Sequence, residues 1–276
     1  LSLFTQPHSF TDGIEGPACD WQGNLYAVNF ARQGTIGKVT PEGETSVFLE
    51  LPSGSIGNGI RFDSQGHMLI ADYLGHQVLK VDMDSRQLSV LAHEPRMNQP
   101  NDLCISAEDL VFASDPHWGN QTGQVWRVDL SGRTSLVAQD MGTTNGIEIS
   151  PDEATLYVNE SAQRRVWAFD LRQGALVSKR LLIEFPDHGL DGMRCDADGL
   201  LYVTRYGKGS VAVLSPKGEV LREIVLQGVK PSNLCFGGED GRTLYVTLAD
   251  QGNIEAFRVE APGREWILNQ RLKPRP

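Results

Sequence analysis

The sequence predicts an all-β fold, a six-bladed β-propeller whose four-stranded blades surround a central tunnel. Three observations lead there. A short apolar motif recurs six times, successive copies lie 42–46 residues apart, and each copy is flanked by the same kinds of turn. Internal repeats of this period are the signature of propellers and solenoids.

The motif reads Leu25-Tyr26-Ala27-Val28, Met68-Leu69-Ile70-Ala71, Leu110-Val111-Phe112-Ala113, Leu156-Tyr157-Val158-Asn159, Leu201-Tyr202-Val203-Thr204 and Leu244-Tyr245-Val246-Thr247. Six copies occupy nearly the whole chain, so residues 1–276 are read as one propeller domain. A tight turn precedes the motif, as in Asp20-Trp21-Gln22-Gly23, Asp63-Ser64-Gln65-Gly66 and Asp196-Ala197-Asp198-Gly199. Asp bonds its own backbone in such turns and Gly tolerates positive φ. A third apolar segment follows, as in Val78-Leu79-Lys80-Val81 or Val125-Trp126-Arg127-Val128, then a further turn and a fourth short strand such as 45–49 or 134–138. A β-sandwich would not require six-fold self-similarity, and a β-helix would need shorter repeats. Ring closure calls for one blade built from both chain ends, with residues 1–6 or 266–270 supplying an outer strand.

The first strand of each blade lines the tunnel. Aligned, these strands begin Glu15-Gly16-Pro17, Asn58-Gly59-Ile60, Asn101-Asp102-Leu103, Asn145-Gly146-Ile147, Asp191-Gly192-Met193 and Ser232-Asn233-Leu234. The leading residue bears oxygen in all six, and five are Glu, Asp or Asn, types that disfavour strand interiors. Six-fold geometry brings them around one axis. Bare carboxylates buried there would repel each other at a cost of several kcal/mol apiece, which a divalent cation removes. An all-oxygen donor set suits Ca²⁺ first, Mg²⁺ or Mn²⁺ next, and Zn²⁺ least. Turn capping alone accounts for Asn or Asp at such positions but not for Glu15.

Three positions further along stand Ala18, Arg61, Cys104, Glu148, Arg194 and Cys235, so an ion pair between Glu148 and Arg194 is expected below the cation. The four cysteines show no C-x-x-C pair, and no two at equal depth come from adjacent blades, which predicts buried free thiols. Strand order places the longer connectors on the rim beside the cation positions. That rim carries His76, His93, His117, His188, Tyr73, Trp118 and Tyr206, and a pocket is expected above the cation.

A formal net charge of −10 argues against nucleic acid or anionic lipid as partner. No run of 18 apolar residues exists to span a bilayer. The chain begins at Leu1 rather than Met, which leaves a leader in the natural protein open. A cytoplasmic location is expected, with periplasm or secretion as alternatives. Oligomeric state is not legible.

The inner-strand fragments Glu15-Gly16-Pro17, Pro100-Asn101-Asp102-Leu103, Asn145-Gly146-Ile147 with Ser150-Pro151-Asp152, and Asp191-Gly192-Met193, together with Asp115-Pro116, resemble the SMP-30/gluconolactonase/luciferin-regenerating-enzyme family over essentially the full chain. The resemblance implies a calcium-dependent lactonase acting on a small sugar-acid lactone. It implies a metal held by Glu15, Asn101, Asn145 and Asp191, whereas the alignment of strands by itself leaves Asn58 open. Asp191 is the expected catalytic residue, as general base towards the attacking water. Gln99, His117 and Asn58 are candidate contacts for substrate hydroxyls. Family members often carry Arg where this chain has Gln99, with Arg96 slightly upstream, so the parent sugar is not implied. Alternatives are an organophosphate hydrolase like diisopropylfluorophosphatase, with Asp191 as nucleophile, or a non-enzymatic binding module.

Overall fold

A computed structural model describes residues 1–273 and shows six four-stranded antiparallel sheets set as the blades of a propeller. Residues 274–276, the last of the stretch assigned to the propeller domain, lie outside the described residues. The innermost strands are Phe10–Cys19, Gly57–Phe62, Leu103–Ile105, Thr144–Ile149, Gly189–Cys195 and Pro231–Gly237. In the first five blades the chain meanders outward through three further strands. The sixth is completed by Ser2–Leu3, which pairs antiparallel with Asn253–Arg258 and so ties the N-terminus to the end of the ring.

Burial falls from the axis outward. Pro231–Gly237 is buried throughout, whereas Val220–Val225, an outer strand, is exposed except at Ile224. Sequence follows: strands packed on both faces read as near-continuous apolar runs, and outer strands admit charges. The core is divided into six clusters, one between each pair of neighbouring blades. One gathers Tyr26, Ile36 and Phe48 of the first blade against Phe62, Ile70 and Leu79 of the second. Another closes the seam, packing Ile14 and Leu25 against Tyr245 and Ile254.

Of the two stretches expected to supply the closing strand, residues 1–6 do so. Residues 266–270 do not form an outer strand, because the chain turns at Gly263 into a short helix, Arg264–Asn269, that lies across the lower mouth of the tunnel. Its polar residues Arg264, Glu265 and Asn269 are the buried ones, a pattern that suits a polar bore and not a sheet edge. All four cysteines are free and buried, as expected. Cys19 and Cys235, at different positions of their aligned strands, nevertheless meet across the seam between the last and first blades, with Sγ atoms 3.8 Å apart. Among the described residues no helix is long and apolar enough to cross a membrane.

Candidate functional site

The inner strands are regular except where the leading residues sit. Ladder register shifts between Glu15 and Ala18, Gly57 and Ile60, Thr144 and Ile147, Leu190 and Met193, and Pro231 and Asn233. Bulges of this kind bend a strand and re-aim a side chain. Here they turn Glu15, Asn58, Asn145, Asp191 and Ser232 into a common cavity of about 490 Å³, which Asn101 also lines. In the third blade the paired strand begins only at Leu103. Asn101 is delivered by a loop pinned through Asp115, which accepts from the backbone N–H groups of Asn98 and Gln99 and from Trp126 Nε1.

The chemistry of these side chains indicates whether a cation suits them. The Oδ1 atoms of Asn101 and Asn145 are buried without a hydrogen-bond partner. Asn145 Nδ2 donates to Ser161 Oγ at 2.9 Å, which fixes the amide with its oxygen facing away from that partner. An orphaned buried acceptor costs about 1–3 kcal/mol unless something binds it. Glu15 and Asp191 lie within hydrogen-bonding reach of each other. Burial and the neighbouring Asp102 charge push the Glu15 carboxyl up to about 7. Burial, followed by the Glu15 charge, pushes Asp191 well above the carboxylate range. Two carboxyls and two unpaired amide oxygens around one space fit a hard divalent ion. Among the described residues no three His, Cys, Asp or Glu side chains cluster as a metal site, so the donors on offer are these oxygens.

Below them lies an ionic layer. Asp102 is fully buried and bonded to Arg194 Nη1 at 2.9 Å and Arg61 Nη2 at 3.3 Å. Burial works to raise its pKa, but Arg194 and Arg61 together hold it below the ordinary value. Asn233 Nδ2 donates both to Asp102 Oδ2 at 3.2 Å and to Glu15 Oε2 at 2.8 Å, linking the layer to the cavity. The expected ion pair between Glu148 and Arg194 is replaced by other partners. Glu148 faces Arg264 of the C-terminal helix at 3.7 Å, and Arg194 faces Asp102 and, at 3.7 Å, Glu265. The missing information was the helix itself, whose charges enter the bore from beneath.

Asp102 and Asn233 were not singled out by the alignment, although a signal was there. They occupy the column that holds glycine in the other four blades. Those glycines leave the room: a Cβ on Gly59 would lie 2.6 Å from Asp102 Oδ1, and one on Gly192 would collide with the Asn233 amide. An exception in a glycine column thus marks a side chain that fills the axis.

Around the mouth, Tyr73, Trp118 and Tyr206 line the cavity, with Asp12 at its edge. The four rim histidines do not. His76 Nδ1 bonds Met97 O, His188 faces Asp187, and His117 Nδ1 accepts from Asn120 N–H, capping the turn that carries Trp118. Gln99 is likewise off the cavity wall, its side chain close to the Tyr73 hydroxyl. Arg96 is engaged by Glu94 at 2.9 Å. Among the described residues none of those lining the cavity is Lys, Arg or His.

Comparison with known proteins gives a consistent picture. Residues 14–250 match the sequence model of the SMP-30/gluconolactonase/LRE-like region. A gluconolactonase of Zymomonas mobilis is 31% identical over 90% of this chain and 79% of its own. A 6-deoxy-6-sulfogluconolactonase of Pseudomonas putida is 35% identical, over 51% of this chain and 54% of that protein. Among solved structures, a calcium-binding protein, regucalcin, from Agrobacterium tumefaciens superposes with a TM-score of 0.83 at 20% identity, over 95% of this chain and 94% of its own, which speaks to the fold alone.

Proposed function

Since the chain belongs to the SMP-30/gluconolactonase/LRE-like family, we propose that it is a divalent-cation-dependent lactonase that opens neutral sugar-acid lactones. The observation that carries this reading is the meeting, in one cavity, of two mutually repelling carboxyls with two unpartnered amide oxygens. Glu15, Asn101, Asn145 and Asp191 would hold the ion, Ca²⁺ first and Mg²⁺ or Mn²⁺ next, since zinc favours nitrogen and sulfur. When bound, such an ion supplies Lewis-acid polarisation of an ester carbonyl.

The remaining work falls to side chains of the cavity. Asp191 accepts the proton of the attacking water, held in place by Asn159, which donates to its backbone carbonyl. Tyr73, Trp118 and Tyr206 offer ring faces to the C–H face of a sugar and narrow the approach of bulk water. Asn58 is the candidate partner for a substrate hydroxyl. Gln99 and His117 would act through the rings they steady, Gln99 on Tyr73 and His117 on the turn of Trp118. With Glu15 and Asp191 neutralised by the ion they would hold, Asp12 remains as free negative charge and none of the described lining residues is cationic, which favours an uncharged substrate over a phosphorylated or sulfonated one.

The experiment is a pH-stat assay of purified protein against aldonolactones of five- and six-membered ring, with fluorophosphate esters in parallel and EDTA controls. Hydrolysis of a lactone that stops on chelation and returns with calcium is expected. Absence of turnover on every lactone, or turnover indifferent to chelation, defeats the reading.

A further inference from the structure

The family match ends at residue 250, and the segment beyond it makes contacts with every blade. Asn269 Nδ2 donates to Cys19 O of the first blade, Arg61 of the second faces Glu265, and Arg264 Nη1 donates to Ile105 O of the third. Arg264 also pairs with Glu148 and Glu153 of the fourth, Pro262 O accepts from Ala197 N of the fifth, and Trp266 Nε1 donates to Gly238 O of the sixth.

One side chain of this segment reaches the cavity through a short series of contacts. Glu265 Oε1 lies 3.4 Å from Arg61 Nε and Oε2 lies 3.7 Å from Arg194 Nε. Both guanidinium groups grip Asp102, Asp102 accepts from Asn233 Nδ2, and the same Nδ2 donates to Glu15. The four residues between Glu265 and Glu15 on this path are nearly inaccessible: Arg61 and Arg194 are each 1% exposed, and Asp102 and Asn233 0%. The ions of the layer balance, Arg61, Arg194 and Arg264 against Asp102, Glu148 and Glu265.

We propose that Glu265 is a positioning residue for the cation site: from the C-terminal helix it neutralises the arginines beneath the cavity and, through Asp102 and Asn233, fixes the Glu15 carboxylate. This rests on the lactonase reading above for the identity of the cation ligands. Losing the Glu265 charge leaves the layer one positive charge in excess under a site meant for a cation. It also removes the carboxylate that forms ion pairs at 3.4 Å with Arg61 and 3.7 Å with Arg194. Both effects weaken cation binding, and partners of this kind behind a metal ligand typically change affinity by roughly 10–100-fold.

The test is calorimetric titration of calcium into the metal-free full chain, native first. No binding by the native protein defeats the cation site itself, and this inference with it. Given native binding, Glu265→Gln is expected to bind calcium about tenfold more weakly at an equal folded fraction by circular dichroism. The double variant Arg61→Gln/Glu265→Gln, which restores neutrality, is expected to recover to within about threefold of native. Native affinity in Glu265→Gln, with only the melting temperature lowered, would make the helix a mere cap and overturn the inference. So would a double variant no better than the single one. Should Glu265→Gln not fold, Glu265→Asp keeps the charge but withdraws the carboxylate by one methylene. A severalfold loss of affinity there supports the coupling, and native affinity overturns it.

Discussion

Replacing Glu15 by Gln should abolish cation binding and yet make the metal-free protein more stable. Glu15 titrates at about 7 in the fold against an ordinary value of 4.5. Below about pH 4.5 the carboxyl is protonated both folded and unfolded, so it contributes no penalty. As pH rises, the unfolded chain releases the proton first, and stability falls until the folded group ionises near 7. A displacement of that size corresponds to about 3 kcal/mol. The cavity wets part of the side chain, so about 1–3 kcal/mol is expected. Gln keeps the shape, its oxygen can accept from Asn233 and Gly16, and its amide can donate to Asp191. Urea and thermal unfolding of EDTA-treated protein should therefore show Glu15→Gln equal to native near pH 4.5. Near pH 8 the variant should melt roughly 2–10 °C higher. A variant less stable than native at pH 8, or a native protein whose metal-free stability does not fall relative to the variant between pH 4.5 and 7, refutes the reasoning. The same displacement requires calcium to expel protons as it binds below pH 7, detectable as a dependence of calorimetric heat on buffer ionisation enthalpy.

Other outcomes follow from the same geometry. Asp191→Asn should lower kcat by roughly 10²–10⁴-fold on a lactone substrate while far-ultraviolet circular dichroism stays native; retained kcat would remove Asp191 from the chemistry. A neutral aldonolactone should be hydrolysed with kcat/KM at least about tenfold above its 6-phospho or 6-sulfo analogue, since Asp12 stands at the cavity edge and none of the described lining residues is cationic. The reverse preference would show that the mouth does not sort by charge. All four cysteines are buried, and burial also pushes the Cys104 and Cys195 thiols up, so none should react with a thiol reagent in the native state, and all four should react in guanidinium. Rapid native labelling would contradict the burial seen at the seam and in the bore.

The sequence displayed the blades clearly because a propeller repeats its packing problem six times. Each Leu-Tyr-Val motif faces a neighbour of the same kind, so one solution recurs and can be aligned. The same alignment led to the cavity wall, since Glu15, Asn58, Asn101, Asn145 and Asp191 stand at matching strand starts. What escaped were features that occur once. Asp102 and Asn233 break a glycine column instead of joining an acidic one. The helix Arg264–Asn269 has no counterpart in any blade, and its charged composition is that of an exposed segment until it is placed against Arg61 and Arg194. The histidines misled for the opposite reason. Residues that share a rim need not share an inside face: His76 is spent on the Met97 carbonyl of a neighbouring connector, and His117 on the Asn120 N–H of its own turn.

The stopper at the lower end turns the bore into a cul-de-sac. Any small molecule that reaches Asp191 must back out through the doorway between Tyr73, Trp118 and Tyr206. For a lactone this one-way street has a convenient asymmetry, because ring opening converts a neutral visitor into an anion. Asp12, at the edge of the cavity, is indifferent to the first and repels the second, a bias of the doorway toward letting an opened acid leave.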